Sequence, residues 1–371
     1  MKILGQISKG LEQLGAGELT RLGATSVVPV FRGVFFDTDV AGAMRINYTS
    51  RLFDRFLLQL VSFPGHTSDQ LYAKAVKFPW EDTFGVESTF AISSAVSGGG
   101  IRHSQWAALK LKDAIADHFR EICGKRPSVD RHDADVNLDL RIRDNKAEIR
   151  LDLSGGALHR RGYRKETVPA PIRETVAAAA VEMTEWTGET PLVDPMCGSG
   201  TLLCEALMKY CMIPSGFLRQ KWGFFHMEGF SRKLWQSVKA EADGAITGLP
   251  PGQLSGSDIS RAAVSAARTN LATLPGGGNV AITLGDWRQS PGITSSVILT
   301  NPPHGIRIFE DTAGSLLGEF GDFLKQRCAG TRAFIYIGDT ALLKKVGLRS
   351  AWRKELMSGG LDGRLARYDL Y

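Results

Sequence analysis

The stretch PLVDPMCGSGTLLCEA, residues 191–206, has the pattern of a short buried strand, a glycine-rich turn and a helix. It is not the G-x-G-x-x-G turn of dinucleotide-binding folds, because the acidic Asp194 leads the loop. It is not a P-loop either, because no Gly-Lys-Ser/Thr sequence follows. Glycine lets a ligand approach the backbone closely, and a leading acid suits a cationic or hydroxyl-rich ligand better than a phosphate.

From residue 172 onward, helical patterns alternate with buried-strand patterns. This alternation is typical of a parallel, doubly wound sheet, so we predict a Rossmann-type α/β fold for this part of the chain. The predicted helices cover residues 173–186, 201–212, 261–274 and roughly 313–327. The predicted strands cover residues 191–194, 253–258, 280–286, 296–301 and 332–338.

Acidic residues end three successive strands of this predicted sheet. Asp194 leads the glycine loop, Asp258 ends the next strand, and Asp286 with Trp287 follows the third. Sheets of this kind bind ligands outside the carboxyl ends of their strands. Asp258 could hold ribose hydroxyls, and Asp286 with Trp287 could hold an adenine amino group and its ring face. A single aspartate at a strand end is often only a turn or N-cap residue, but three on successive strands favour a binding site.

The fourth strand end reads Asn301-Pro302-Pro303-His304. The asparagine offers a carbonyl acceptor, and the two prolines form a stiff segment that donates no N–H. Such a set of acceptors fits an exocyclic amine, whose lone pair it would aim at an electrophile. His304 could stack on the base that carries the amine. The alternative is a simple strand-ending turn.

The first half of the chain mixes helices and strands. A helix is predicted within 10–24, and two short strands are predicted around Arg32-Gly33. A second helix is predicted within 101–125, followed by a strand, turn and strand over 136–155. The inward face of that second helix is predicted to consist of Ala107, Leu109, Leu111, Ala114, Ile115 and Phe119.

Residues 156–171, between the two halves, are rich in glycine, proline and cations. The cationic residues are Arg160, Arg161, Arg164 and Lys165. This segment is either a solvated linker or a basic collar that touches phosphate or closes over a cofactor. We divide the chain into residues 1–43, 44–155, 156–171 and 172–371.

The composition is that of a globular protein, with 371 residues, 43% hydrophobic and 23% charged. The net charge of +6 is compatible with nucleic-acid binding. Because no apolar run approaches the ~20 residues of a membrane span and no leader is evident, we expect a cytoplasmic protein without membrane contact. Cys197, Cys204 and Cys211, spaced by seven, are expected on one helix face as core residues rather than zinc ligands.

The motifs DPMCGSG, SD, GDW and NPP, in this order, resemble those of S-adenosylmethionine-dependent amino methyltransferases. Further segments, including GLEQLGAGELTRLGA, PSVDRHDADVNLDLRI, LDLSGGALHRRGYR and KWGFF, extend the resemblance over nearly the whole chain. The chain looks like the THUMP-domain RNA methyltransferases, and in particular the bacterial 23S rRNA guanine-N2 methyltransferase family. The resemblance implies a ferredoxin-like element (1–43), a THUMP domain (44–155), a basic linker (156–171) and a Rossmann-type methyltransferase domain (172–371).

The resemblance also implies site residues. The implied catalytic residues are Asn301, Pro302, Pro303 and His304. The implied cofactor-binding residues are Pro171, Thr175, Asp194, Pro195, Cys197, Gly198, Ser199, Gly200, Thr201, Asp258, Ile259, Asp286, Trp287 and Asn301. The candidate RNA-binding residues are Arg102, Lys110, Lys112, Arg160, Arg161 and Arg164, although those on the helix could equally be its solvated face.

The sequence departs from the family pattern at three points. The catalytic tetrapeptide usually ends in Tyr or Phe, and here it ends in His304, which can titrate near neutral pH. The chain stops at Tyr371, so we expect no second methyltransferase domain. Asp258 lies much farther from Asp194 than the ~20 residues of a standard nucleotide fold, and the excess, about 213–252, is expected to form a lid or substrate wall.

The function implied is methyl transfer from S-adenosylmethionine to the N2 amine of a guanosine, with large-subunit rRNA as the expected partner. No metal is expected, because the sulfonium itself supplies the leaving group. Two alternatives remain: an adenine-N6 methyltransferase on RNA or DNA, and a non-catalytic RNA-binding or assembly factor.

Overall fold

The computed structural model describes residues 1–168, 171–303, 310–358 and 362–371, with only the backbone described at 310–312. His304 therefore lies outside the described residues. Within the described ranges, the strands form two seven-stranded sheets, one in each half of the chain.

The first sheet has the spatial order β2-β3-β1-β4-β7-β6-β5. All its neighbouring strands run antiparallel except β5 and β6, which are parallel. Its strands are β1 (Lys2–Gln6), β2 (Thr25–Val30), β3 (Gly33–Asp37), β4 (Arg55–Pro64), β5 (Phe90–Ser97), β6 (Val136–Arg143) and β7 (Lys146–Asp152). The helices of this half are α1 (Glu12–Arg21), α2 (Val40–Thr49), α3 (Ser68–Ala75) and α4 (Ser104–Cys123).

The helices and strands predicted in this half are confirmed. The turn between β6 and β7 places Asp144 and Asn145 at φ 49° and 64°. Positive φ at both central residues is the conformation that a two-residue hairpin requires, and Asn and Asp tolerate it best. The predicted boundary between residues 43 and 44 falls inside α2, and β4 pairs with both β1 and β7. The division of this half into two domains remains a proposal.

One predicted core position of α4 is wrong. Ala107, Leu111 and Phe119 are buried as predicted, but Leu109 is 37% exposed. Leu109 lies two residues from each of Ala107 and Leu111, and at 100° per residue this rotation carries it away from the buried stripe.

The second sheet has the spatial order β10-β9-β8-β11-β12-β14-β13. The first five strands in this order are parallel, and β14 and β13 add an antiparallel edge. The strands are β8 (Leu192–Asp194), β9 (Leu254–Asp258), β10 (Ala281–Leu284), β11 (Val297–Thr300), β12 (Arg332–Ile337), β13 (Trp352–Glu355) and β14 (Arg364–Asp369). The helices of this half are α5 (Glu174–Met183), α6 (Thr201–Tyr210), α7 (Arg232–Gly244), α8 (Arg261–Leu271) and α9 (Glu310–Arg327).

The strand order confirms the predicted Rossmann-type architecture. The chain moves outward from β8 to β9 and β10, then returns to β11 on the other side of β8. This reversal creates a crevice at the carboxyl ends of β8 and its neighbours, where sheets of this class bind their ligands. The predicted acids and the asparagine all follow strands that end at this edge.

A continuous buried apolar cluster extends through both halves of the chain. It includes Phe53 and Phe56 beside the first sheet and Leu203 and Leu254 beside the second. Cys197, Cys204 and Cys211 are buried, as expected of core residues. The expectation of one shared helix face is wrong, because α6 covers only Thr201–Tyr210, so Cys197 precedes the helix and Cys211 follows it.

Candidate active site

The glycine loop after β8 begins with a carboxyl group that is almost fully buried. Asp194 is 1% exposed, and its Oδ1 accepts hydrogen bonds from Thr300 Oγ1 at 2.7 Å and from the Met196 amide at 3.1 Å. Burial raises the pKa of Asp194 to about 7, and the nearby charge of Asp258 adds to the rise, whereas the two hydrogen bonds oppose it. A cationic group beside Asp194 would favour its ionised form.

The loop itself is held by β9 and α8. The Gly198 amide donates to Asp258 Oδ2 at 3.0 Å, and the Cys197 amide donates to the Ser257 carbonyl at 3.0 Å. Gly198 and Gly200 have φ values of 52° and 79°, which glycine adopts without strain. Gly200 is the N-cap of α6, so the loop leads directly into the amino end of that helix.

The other predicted residues of the loop lie in the same segment, most of them buried. Pro195, Cys197, Ser199 and Thr201 are buried, and Gly198 is half-buried. The predicted loop residues are therefore brought together, with the backbone rather than the side chains available to a ligand.

Asn270 on α8 is a buried residue that positions the glycine loop, and it was not predicted from the sequence. Its Nδ2 donates to the carbonyls of Ser199 and Glu166, and its Oδ1 accepts from the amides of Lys165 and Glu166. Asn270 thus joins the glycine loop to the basic connector. In the sequence, Asn270 stands among apolar residues on one face of the predicted helix. An amide on a face that is expected to be buried needs hydrogen-bond partners, and this pattern could have identified Asn270.

Asp258 lies at the end of β9 at the rim of the crevice. Its Oδ1 accepts from the Ser260 amide at 2.9 Å, and its Oδ2 accepts from Gly198. The next residue, Ile259, is 67% exposed. An isoleucine side chain left in solvent at this position gives a ligand ring an apolar surface to cover.

The prediction that Trp287 offers its ring face to a ligand is wrong. Trp287 is 4% exposed and packs against Phe320 and Phe323, with ring centroids 5.1 and 5.2 Å away. The Arg288 guanidinium lies 4.6 Å from the Trp287 ring centroid. Asp286 Oδ1 accepts from the Arg288 amide at 3.0 Å and remains half-buried at the rim. Trp287 therefore belongs to the core, whereas Asp286 keeps the predicted position.

The segment after β11 carries a buried acceptor. Asn301 Oδ1 is buried and has no hydrogen-bond partner among the described residues. Pro302 is buried and Pro303 is exposed. Thr300, the residue before, donates to Asp194, so the hydrogen bond from Thr300 joins the amide-bearing segment to the glycine loop. Leaving such an acceptor unsatisfied costs ~1–3 kcal/mol, a cost that an amine donor would remove.

Of the two cofactor residues predicted at the start of the second half, Pro171 and Thr175, the latter contacts the first half of the chain. Thr175 is buried, and its Oγ1 donates to Asp54 Oδ1 at 3.1 Å. Arg173 contacts the same carboxylate at 3.2 Å. Although burial opposes it, His159 and Arg173 lower the pKa of Asp54. Pro171 is exposed. Thr175 thus forms a hydrogen bond with another side chain of the protein, and its role in binding the cofactor remains a prediction.

Two of the three connector arginines form ion pairs within the protein, and RNA contact by the half-buried one, Arg164, stays a prediction. Arg161 is 2% exposed, and its Nε lies 3.3 Å from Glu205 Oε1. Arg164 donates to Glu174 at 2.9 Å and to the Ile172 carbonyl at 3.0 Å. The prediction of RNA contact by Arg161 is wrong, because a buried side chain cannot meet a phosphate. Arg160 is exposed, so RNA contact by Arg160 stays a prediction.

The candidate RNA contacts on α4 lie at the surface. Arg102 is exposed, and Lys110 Nζ lies 5.4 Å from the ring centroid of Trp106, itself an exposed aromatic. Lys112 pairs with Asp113 at 2.6 Å. Lys112 and Arg131 also line a groove of about 680 Å³ between α4 and the first sheet. Cations beside an exposed aromatic suit single-stranded RNA.

Comparison with known families assigns each part of the chain. A domain described as "RMKL-like, methyltransferase domain" matches residues 161–367. The chain belongs to the RMKL-like methyltransferases. In this RMKL-like chain, a THUMP domain matches residues 65–152, and the RlmL ferredoxin-like domain matches residues 3–57. The predicted architecture and the prediction of an S-adenosylmethionine-dependent methyltransferase are thereby confirmed.

Two relatives of this RMKL-like chain are informative. A protein of Synechocystis sp. named "Putative RNA methyltransferase slr0064" is 36% identical over 98% of this chain and 96% of its own length. The "Ribosomal RNA large subunit methyltransferase K/L" of Syntrophotalea carbinolica is 35% identical over 100% of this chain. The chain spans about half of that relative, 54% of its length.

Solved structures agree with the fold. A structure described as "a possible methylase from Clostridium difficile 630" has a TM-score of 0.86 at 25% identity and covers 100% of this chain and 98% of its own. SMU.472, described as "a putative methyltransferase complexed with SAH", has a TM-score of 0.88 at 24% identity, with the same coverage of both chains. The second likeness shows the fold alone.

The described part of this RMKL-like chain contains neither a membrane-spanning helix nor a metal-binding cluster. Within the described ranges, no helix is long and apolar enough to cross a membrane. The same residues contain no group of three or more His, Cys, Asp or Glu side chains that could hold a metal ion. The expectation that no metal is needed stays a prediction.

Proposed function

We propose that the chain transfers a methyl group from S-adenosylmethionine to the exocyclic N2 amine of a guanosine in large-subunit rRNA. The observation that carries this proposal is the buried, unpartnered Oδ1 of Asn301 at the rim of the Rossmann-type crevice. An amide oxygen accepts hydrogen bonds and cannot donate them, so its natural partner is an N–H donor such as an exocyclic amine.

Asn301 would act by orienting the amine. A hydrogen bond to one N–H fixes the direction of the nitrogen lone pair, which must face the methyl group for in-line transfer. The prolines that follow lack an N–H, so they cannot compete as donors for the same oxygen. The link from Thr300 to Asp194 holds this segment to the glycine loop.

The residues of the crevice fit S-adenosylmethionine, whose bound sulfonium would supply the methyl group and the leaving group. Asp194 provides a buried carboxyl whose ionisation a cationic amino group would favour. Asp258 lies where ribose hydroxyls are bound in dinucleotide folds. The exposed Ile259 side chain offers the apolar contact for an adenine ring that Trp287 cannot provide.

The first half of the chain supports RNA as the substrate. It contains the THUMP match, and the Lys110–Trp106 pair and the groove beside α4 combine cations with aromatic and polar surface. The name of the K/L relatives points to large-subunit rRNA. The target base would have to leave any helix that contains it before its amine could reach Asn301.

The test measures transfer of labelled methyl groups to unmodified large-subunit rRNA, followed by digestion to nucleosides. We expect the label in N2-methylguanosine, and we expect Asn301→Ala to lower the rate by about 10²–10³-fold, as when one preorganised hydrogen bond at a reacting group is removed. Calorimetry separates the two implied roles of Asn301: cofactor binding by the variant within about threefold of the parent would leave only the role toward the substrate amine, and weaker binding would support the cofactor role as well.

Other outcomes would overturn the proposal in distinct ways. Label in N6-methyladenosine would keep the role of Asn301 and reject guanosine as the target, since both bases carry an exocyclic amine. Cofactor and RNA binding without label in any nucleoside would favour a non-catalytic RNA-binding factor. Full activity in Asn301→Ala would reject the assignment of the catalytic residue.

A further inference from the structure

The insertion between α6 and β9 contains a cavity that the proposed reaction does not use. Its volume is about 410 Å³, and none of the candidate catalytic or cofactor residues lines it. Four aromatic side chains form its apolar wall, namely Trp222, Phe225, Phe230 and Trp235. Phe225, Phe230 and Trp235 are only partly buried, so aromatic surface is left for a ligand to cover.

Three cationic side chains also line the cavity. The Arg219 guanidinium lies 5.2 Å from the Trp222 ring centroid, and its hydrogen bonds go to the backbone carbonyls of residues 154, 157 and 221. These acceptors are neutral, and the carboxylate that interacts electrostatically with Arg219 is Asp152, which does not line the cavity. Arg232 is exposed at the start of α7. The third cation, Lys239, is paired with Asp243, so an anionic ligand would contact Arg219 and Arg232.

The cavity wall includes a buried donor. Trp222 is fully buried, and its Nε1–H has no hydrogen-bond acceptor within the part of the chain that the structure describes. An indole nitrogen can only donate, so the missing partner must be an acceptor. A base carbonyl, a ring nitrogen or a phosphate oxygen would meet this requirement.

The position of the insertion connects the cavity to the RNA-binding half. Lys221 Nζ lies 3.0 Å from Asp133 Oδ1 and 3.5 Å from Asp135 Oδ1, which precede β6. Trp235 packs edge-on against Tyr48 of α2, with the ring centroids 5.2 Å apart. An RNA strand that extends from the first half toward the crevice would therefore pass close to the insertion.

We propose that this cavity binds one nucleotide of the RNA substrate, distinct from the nucleotide that is methylated. The aromatic wall would stack on the base, Trp222 would donate to an acceptor, and Arg219 with Arg232 would contact the phosphate. Aromatic surface beside cations is the combination by which proteins hold unpaired RNA. The proposal rests on the proposed RNA substrate, but it does not depend on which base is methylated.

The test measures the binding of a fluorescein-labelled single-stranded RNA of about ten nucleotides to the full chain by anisotropy, without cofactor. Arg232→Glu and Lys233→Glu change the charge equally at adjacent exposed positions, but only Arg232 lines the cavity. We expect Arg232→Glu to weaken binding about fivefold or more, as for loss of a charge-assisted hydrogen bond, and Lys233→Glu to weaken it less than about twofold.

A second variant tests stacking independently of charge. Phe230→Leu keeps an apolar side chain but removes the ring, and we expect it to weaken binding about fivefold or more. Circular dichroism of each variant checks that the fold is retained. Equal effects of the two Glu variants, or no effect of Arg232→Glu and Phe230→Leu, would reject the nucleotide pocket. Competition by free guanosine monophosphate with the same sensitivity to Arg232→Glu would assign the cavity to free nucleotides and reject RNA.

Failure of this proposal and failure of the proposed function can be distinguished. Selective loss of RNA binding in Arg232→Glu, with no methyl transfer by the unmodified chain, would keep the pocket and reject the reaction. Methylation of rRNA with unchanged RNA binding in all three variants would keep the reaction and reject the pocket.

Discussion

The ionisation of Asp194 at the edge of the crevice is controlled by its burial. Burial raises the pKa of this carboxyl to about 7, although Thr300 and Met196 donate hydrogen bonds to it. The protonated form is therefore favoured in the folded chain under mildly acidic conditions. Because a cationic ligand favours the ionised form, binding of such a ligand should release a proton below about pH 7.

We predict that Asp194→Asn changes the pH dependence of stability. The folded-state pKa of Asp194 lies above the ordinary value of 3.8, so its contribution to stability is fully present below pH 3.8 and is lost as pH rises toward about 7. Asparagine cannot ionise, so this loss, on the order of 4 kcal/mol at most, should disappear in the variant. Urea unfolding from pH 4 to 8 measures this loss of stability in the parent and in the variant.

The control for this prediction is Asp339→Asn, which makes the same chemical change at an exposed N-cap. Its stability should vary with pH as that of the parent does. If Asp194→Asn and the parent show the same pH profile, the raised pKa does not govern stability.

The site residues whose positions follow from the order of the parallel strands were predicted correctly from the sequence. Asp194, Asp258 and Asn301 follow strands whose carboxyl ends share one edge, so their neighbourhood could be predicted from strand order alone. The orientation of the Trp287 side chain could not be predicted from strand order, because it depends on contacts with Phe320 and Phe323 of α9, which are distant in sequence. Burial of Arg161 depends in the same way on Glu205 of α6.

At the scale of elements, the glycine loop fixes the start of α6. Gly200 has φ 79°, and a Cβ at this position would lie 3.1 Å from Ala267 Cβ on α8. We predict that Gly200→Ala lowers the free energy of unfolding by about 2–3 kcal/mol, from the positive φ together with the contact to α8. It should also weaken cofactor binding, because the loop must move. Urea unfolding and calorimetry provide the two measurements.

The variant Gly330→Ala separates the cost of positive φ from the cost of the contact with α8. Gly330 has φ 74°, close to that of Gly200, but a Cβ there would have no neighbour within 4 Å. Its loss of stability should reflect positive φ alone, about 1 kcal/mol, and its cofactor binding should be unchanged. If the two variants lose equal stability, the packing of the loop against α8 does not add to the cost.

The elements found from the sequence have strong patterns, and two of the elements that were not predicted lack them. The hairpin of β6 and β7 alternates cleanly, and the parallel strands β8 and β11 are short apolar runs. In contrast, β5 reads FAISSAVS and β13 reads WRKE, and neither shows a buried face of several residues. Both are edge strands, whose exposure weakens the pattern on which sequence analysis depends.

At the scale of the whole molecule, buried charges as well as apolar contacts join the two halves. Arg161 Nε pairs with Glu205, while its Nη2 donates to the carbonyl of Arg51 at 2.5 Å. Glu205 Oε1 also accepts from Tyr163 Oη at 3.0 Å. The connector is thus part of the interface between the halves rather than a solvated linker.

We predict that Arg161→Met lowers the free energy of unfolding by about 3 kcal/mol, because it removes the ion-pair partner of the buried Glu205 and leaves only the charge of Arg51 near it. Arg160→Met, at the exposed neighbouring position, should change stability by less than about 0.5 kcal/mol but should weaken RNA binding. The double variant Arg161→Met with Glu205→Leu should recover only part of the loss, because a buried ion pair can be replaced by apolar side chains but Tyr163 and Arg51 lose the carboxylate as well. Urea unfolding and RNA anisotropy measure these effects. If Arg161→Met instead weakened RNA binding without loss of stability, this arginine would contact RNA after all, and the halves would have to separate to expose it.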